Sequence, residues 1–219
     1  MATLYKLHPE NPQSRKMEAI VGALRQGAVA LYPTDTVYAI GCDLNHKGAV
    51  QRVRQIKQLT NDKPLTFLCA SLSNIADYAR VSDGAYRLIR RLIPGPFTFL
   101  LPATRQVPRL VMDPKRRTTG IRVPDHVICL SLVETLQNPV VSTSALTLLP
   151  DSGKGWDGQL VDKITMFDRL ERLVDVIVDD DLPLAYEVST VLDMEGDQPL
   201  IIRQGLGFEA ALDWGAQLV

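Results

Sequence analysis

The chain has 219 residues, of which 46% are apolar and 22% charged, the size and make-up of one large globular domain with a sizeable core. A net charge of −1 with 14 Gly and 14 Pro excludes a disordered, collagenous or coiled-coil chain and gives no global sign of a polyanionic partner. No run approaches the roughly 18 apolar residues of a membrane span, and Met1 to Asn11 lacks a charged-then-apolar leader, so a cytoplasmic protein with no membrane partner is expected.

Ser14 to Gln26 places Met17, Ile20, Val21 and Leu24 on one helical stripe, with Ser14 as the expected N-cap and Gly27 at the left-handed C′ position. The run Val29 to Tyr32, stopped by Pro33, reads as a buried strand leading into Thr34-Asp35-Thr36. Gly48 to Leu59 is helical by period, with Ala49, Val53 and Ile56 inward and Arg52 and Arg54 off the stripe. Lys57 borders that stripe, so its stem should pack while its ammonium emerges at the helix end.

Leu65 to Ala70 reads as a strand, Ser73 to Ala79 and Gly84 to Ile93 as helices, and Phe97 to Leu101 as a strand after the Pro94-Gly95-Pro96 break. A basic loop, a strand at Gly120 to Val123 and a helix from Val127 to Gln137 follow. Pro139 to Val141 reads as a strand ending in a hydroxyl-rich turn, Ser142-Thr143-Ser144. Leu149 to Gly158 reads as a loop and Lys163 to Leu173 as a helix. Val174 to Val178, Ser189 to Met194 and Leu200 to Arg203 read as strands, and the tail as a short helix. This alternation predicts a single α/β domain, a twisted mixed parallel and antiparallel sheet flanked by helices, over residues 10–207, with a tail at 208–219.

Cys42, Cys69 and Cys129 are too few and too far apart for a disulfide framework or a metal clip and are expected to be reduced core residues. Cys42 and His46 could pinch a metal, but no second pair stands nearby, so no metal ligand is assigned. Gly153-Lys154-Gly155 lacks the spacing of a phosphate-binding P-loop. Gly205-x-Gly207-x-x-Ala210 is too near the end of the chain for a dinucleotide fold. His8, His46 and His126 suggest no Ser/His/Asp triad.

Charge is uneven along the chain. Six basic residues between Arg105 and Arg122 face one acid, and Asp168 to Asp181 is predominantly acidic. Several apolar strands run into hydroxyl or cationic residues, at Thr34-Asp35-Thr36, Arg122, Ser142-Thr143-Ser144 and Arg203. Lys57 and Lys63 follow the second helix. Beyond strand ends such residues suit a phosphate or carboxylate, although strands that simply end at a polar surface give the same pattern.

Tyr32-Pro33-Thr34-Asp35-Thr36-Val37-Tyr38, Lys57 with Lys63-Pro64-Leu65, Pro94-Gly95-Pro96-Phe97-Thr98, Gly120-Ile121-Arg122-Val123-Pro124, Ser142-Thr143-Ser144-Ala145, Ser189-Thr190-Val191 and Arg203-Gln204-Gly205 together resemble the YrdC/YciO family, from about Met17 to Gly205. The resemblance implies a concave cleft and a threonylcarbamoyl-AMP synthase activity using L-threonine, bicarbonate and ATP, with Mg²⁺. In that reaction the threonine carbamate attacks the ATP α-phosphate and expels pyrophosphate. The product serves tRNA threonylcarbamoyladenosine formation by a separate transferase complex.

By the same resemblance Thr36, Arg122, Ser142 and Ser189 hold threonine, with Arg122 as the carboxylate anchor. Lys57, Lys63, Thr118, Ser144, Ser152 and Arg203 line the nucleotide, and Lys57 and Arg122 are the catalytic pair. Leu59 and Leu146 stand where the synthase branch has an Arg and an Asn toward ATP, which brings the chain nearer the YciO branch and implies weak or altered activity. A second reading is a tRNA- or double-stranded-RNA-binding module using the Arg105 to Arg122 cluster. A third keeps the cleft and changes the ligand to a related acyl-adenylate.

Overall fold

The computed structural model describes residues 1–60, 63–149, 160–196 and 198–219. The first helix, α1 (Ser14–Arg25), buries Met17, Ile20, Val21 and Leu24 on its predicted stripe. Its N-cap is Gln13, one residue before the Ser14 expected in that role, and it makes no side-chain cap. Gly27 ends the helix at φ +94°, with Gly27 N–H donating to the Leu24 carbonyl and Ala28 N–H to that of Ala23. That pair of bonds is a Schellman motif, and it turns the chain directly into the next strand. A Cβ at Gly27 would also lie 2.6 Å from the His46 ring.

The strands are β1 (Thr3–Lys6), β2 (Ala30–Tyr32), β3 (Ala39–Asp43), β4 (Thr66–Leu68), β5 (Phe97–Pro102), β6 (Thr118–Arg122), β7 (Val140–Ser144), β8 (Val176–Asp179), β9 (Thr190–Asp193), β10 (Leu200–Arg203) and β11 (Gln217–Leu218). Among the described residues they form one sheet in the order β1-β8-β2-β3-β7-β4-β6-β5-β9-β10-β11. Its pairing is mixed, with β4 parallel to β6 and β5 parallel to β9, while β3, β7 and β4 run antiparallel in succession. The two outermost strands, β1 and β11, lie outside the 10–207 span expected for the domain.

Period-2 alternation divides the sheet's side chains between two cores. Leu31, Ile40, Val141, Phe67, Ile121 and Phe99 join one, together with α2 (Lys47–Ile56), α3 (Leu72–Tyr78) and α4 (Asp83–Leu92). On the other face, Ala30, Tyr32, Ala39, Leu68 and Val140 pack under α1 and α5 (Val127–Leu136), which touch each other. Further along that second face the inward positions become hydroxylic, at Thr66, Thr98, Ser142 and Ser144. Among the described residues no helix covers them, and there the surface opens into a cavity.

Three expectations are corrected by packing. The hydroxyl run Ser142-Thr143-Ser144 is the end of β7, paired with β3, rather than a turn. Arg54 is only 4% exposed, although the helical period places it off the buried stripe. Its guanidinium is drawn inward by backbone carbonyls, donating to those of Lys63 at 2.7 Å, Leu110 at 2.9 Å and Thr60. The next-to-last helix, α6 (Lys163–Leu170), stops three residues before the expected Leu173, and the tail forms α7 (Phe208–Asp213) before β11. All three cysteines are free and buried, and burial pushes the Cys42 and Cys69 thiols up to about 12.

Candidate anion and nucleotide site

The cavity holds about 300 Å³ and is lined by residues from β3, β4, β5, β6, β7, β9 and β10, with Lys57 at its rim. Four of its charged or hydroxyl groups come from strand ends, which is why residues far apart in sequence meet here. Arg122, at the end of β6, donates from Nη1 to Thr36 Oγ1 at 2.8 Å and from Nη2 to Asp35 Oδ1 at 2.5 Å. Both members of this ion pair have side chains 9% exposed, so Arg122 enters the cavity with its charge already offset.

Lys57 caps the C-terminus of α2, and its ammonium donates to the Ser144 carbonyl at 2.7 Å and to Thr147 Oγ1. Arg203, on β10, donates to the Ser189 carbonyl at 3.1 and 2.8 Å and to Ser189 Oγ at 3.0 Å. Gly205 allows this turn to press on the strand beside it, because a Cβ there would lie 2.3 Å from the Val188 carbonyl oxygen. Neither Lys57 nor Arg203 has an acidic partner among the described residues, so the cavity carries two uncompensated cations. Burial, and then repulsion from Arg122, pulls the Arg203 guanidinium below its ordinary range.

Burial also pushes the Lys57 ammonium down from 10.5 to about 8. Because its folded value lies below its unfolded one, the unfolded chain holds the extra proton between about pH 8 and 10.5, and this group's contribution to stability rises with pH across that window. Anion binding has the opposite sign, since the ammonium is lost above pH 8. The affinity for ATP, whose own charge is constant there, should fall from pH 7.5 to 9.5 in the native chain. In Lys57→Met it should be lower and flat, as read by calorimetry at both pH values.

The sequence-predicted residues Thr36, Lys57, Arg122, Ser142, Ser144, Ser189 and Arg203 all line this one cavity. Two others do not. Thr118 is buried at the opposite end of β6 from Arg122, roughly 13 Å along the strand at about 3.3 Å per residue. Lys63 is exposed, and its backbone is engaged, the N–H donating to the Thr60 carbonyl and the carbonyl accepting from Arg54. Ser152 and nearly all of the expected 149–158 loop lie outside the described residues. Asp35, Thr66 and Thr98 were given no role by sequence, although Asp35 and Thr98 sit inside the resembling motifs. Their partners are 87 and 91 residues away and leave no local signal.

Leu59 and Leu146 do not line the cavity either. Leu146 is 5% exposed within the core on the far face of the sheet, and Leu59 packs against the same core. Both leucine side chains are therefore spent on packing. Leu146→Asn should cost about 1–3 kcal/mol for the buried amide alone, read as a lowered midpoint in urea denaturation.

Elsewhere, the basic run divides. Arg122 is in the cavity, Arg116 is held by Asp193 and Glu195, and Arg105, Arg109, Lys115 and Arg117 are exposed. The acidic run is similarly spent in part, with Asp175 on Arg52, and Asp179 and Asp180 bridged by Lys163. Burial would raise the Asp180 carboxyl, but the nearby His126 ring at 3.6 Å and the hydrogen bond from Lys163 at 2.7 Å outweigh it and hold the group below the usual carboxylate range. His46 accepts from Ala49 N–H and caps α2. A larger hollow of about 570 Å³ beside the cavity shares Val188 with it, but its charged lining residues are Glu187 and Glu209, so the anion site is the smaller one.

Among the described residues, the uncovered end of this open mixed sheet presents hydroxyls, a neutralised arginine and two cations without acid partners, which makes the molecule an α/β protein with a candidate anion site. The chain belongs to the Sua5/YciO/YrdC family, whose model, described as telomere recombination, matches residues 22–205. It is 38% identical over 207 residues to the E. coli protein YciO, covering 94% of this chain and 97% of that one, and the crystal structure of YciO superposes with a TM-score of 0.85. A threonylcarbamoyl-AMP synthase of Vibrio vulnificus is 30% identical over 86% of this chain and 98% of its own. The P. abyssi Sua5 structure complexed with L-threonine has a TM-score of 0.82 at 26% identity, over 99% of this chain and 62% of Sua5.

Proposed function

We propose that this protein is a synthase of the threonylcarbamoyl-AMP type, condensing L-threonine, bicarbonate and ATP with low turnover. The observation that carries the reading is the cavity's charge balance. Among the described residues Lys57 and Arg203 have no acid partner, and they flank hydroxyls suited to a zwitterion and a phosphate chain. It is supported by the synthase relatives and by the threonine complex of Sua5.

In this reaction bicarbonate loses its hydroxyl as water to give CO2, the threonine nitrogen adds to it and releases the proton that the water takes up, and a carbamate oxygen attacks the α-phosphorus. The bond to the bridging oxygen breaks, and pyrophosphate leaves with the electron pair. The protein's part is to position the reactants and offset charge. Arg122, Thr36, Ser142 and Ser189 hold the amino acid, while Lys57, Arg203 and Ser144 face the phosphates. Among the described residues no carboxylate lines the cavity, so they do not fit a protein-held Mg²⁺, and no step is assigned to one. The product would serve a separate transferase acting on a tRNA adenosine.

Mass spectrometry of a reaction containing ATP, L-threonine and bicarbonate should reveal threonylcarbamoyl-AMP, with none formed by Arg203→Ala. A native chain that binds these ligands and forms no such adenylate would contradict the reading.

A further inference from the structure

Among the described residues only two lysines, Lys57 and Lys163, are not exposed. Their partners differ. Lys163 bridges Asp179 and Asp180 at 2.7 Å each, whereas Lys57 donates only to neutral oxygens, the Ser144 carbonyl at 2.7 Å and Thr147 Oγ1. Those two acceptors use two of the three ammonium hydrogens. The third has no partner among the described residues, and the nitrogen can lose it without breaking a hydrogen bond. A lone pair then takes its place on a side chain that lines the cavity. Burial favours this neutral form, drawing the ammonium down to about 8, and a neutral lysine amine in a pocket is a nucleophile.

The surroundings suit a new negative charge on that nitrogen. The charged groups lining the cavity with Lys57 are Arg122, offset by Asp35, and Arg203, and no carboxylate among the described residues lines it. Arg203 spends Nε and Nη2 on Ser189, and its Nη1 has no partner among the described residues. Thr147 accepts from Lys57 yet owns a hydrogen of its own, held only in a long 3.4 Å contact with the Ser144 carbonyl.

We propose that Lys57 is a carbamate-forming lysine, whose neutral amine takes up CO2, and that the product closes the cavity to ATP. The ammonium gives one proton to water, and the nitrogen lone pair bonds to the CO2 carbon while one C=O electron pair moves onto oxygen. The nitrogen then loses a second proton to water. Its remaining N–H stays on the Ser144 carbonyl, and Thr147 and Arg203 Nη1 are donors in the same cavity for the new carboxylate. The side chain passes from a cation to an anion, so a phosphate chain that it attracted is repelled. Closure to ATP rests on the nucleotide reading above, whereas the modification does not.

The test equilibrates the full chain with ¹³C-labelled bicarbonate at about pH 8, fixes any carbamate as its ethyl ester with triethyloxonium ion, and maps the label by peptide mass spectrometry. Label is expected on Lys57, rising with pH through this value at constant dissolved CO2, and absent from Lys163. Calorimetry with ATP is then run in bicarbonate and in chloride of equal ionic strength. Native affinity should fall at least about threefold in bicarbonate. Lys57→Arg keeps the charge but does not lose its proton, and should change by less than about twofold.

No label on Lys57, or no more than on the exposed Lys6 and Lys16, would overturn the proposal. So would an ATP affinity that bicarbonate lowers equally in Lys57→Arg, because simple anion competition then explains it, or one left unchanged in a labelled native chain. A labelled native chain that binds no ATP in either medium would overturn the nucleotide reading, and the closure with it, while the modification stood. That result is distinct from the others.

Discussion

Arg122→Ala should lose L-threonine binding by about a hundredfold or more and lower stability by about 3–5 kcal/mol, because it strands a buried carboxylate as well as removing a ligand contact. Asp35 Oδ1 loses its guanidinium partner, and Asp35 Oδ2 already has none. The two effects are separable in Asp35→Asn/Arg122→Ala. Removing the stranded charge should restore much of the stability in urea denaturation, while threonine binding stays lost in calorimetry. Restored binding in the double variant would mean that Arg122 acts only as the partner of Asp35.

Arg54→Met should cost about 3 kcal/mol or more. The methionine keeps the packed stem, but the carbonyls of Thr60, Lys63 and Leu110 lose a charged donor in a buried setting. Those carbonyls lie on the segment that follows Lys57 and on the one preceding β6, so Arg54 ties together two loops beside the cavity. The variant should therefore also weaken ATP binding, with Lys57 still present. A stability loss under 1 kcal/mol would show that water replaces these bonds.

The elements that could be read from sequence are those whose signal is local. The stripe of α1 and its Gly27 terminator, the strand stopped by Pro33, and the packing of the Lys57 stem all follow from period and turn chemistry. Edge strands β1 and β11 were not legible, since short strands paired on one side need no apolar alternation. Arg54 was misplaced because helical period marks apolar faces and does not register backbone carbonyls that converge from other loops.

The candidate site was legible to the extent that its residues sit in strand-end motifs. Seven of the ten assigned positions line one cavity. Thr118 was assigned by the family resemblance, and strand rise places it away from Arg122. What sequence could not supply is which cation is already neutralised. Pairing of Asp35 with Arg122, and the absence of an acid beside Lys57 and Arg203 among the described residues, are set by the sheet order and decide where an anion is favoured.

The most direct test of the account is release of pyrophosphate from ATP by the native chain, assayed with threonine and bicarbonate together and with each omitted. The account predicts release that requires both and disappears in Arg122→Ala. Release independent of threonine, or none in the presence of both, would contradict it.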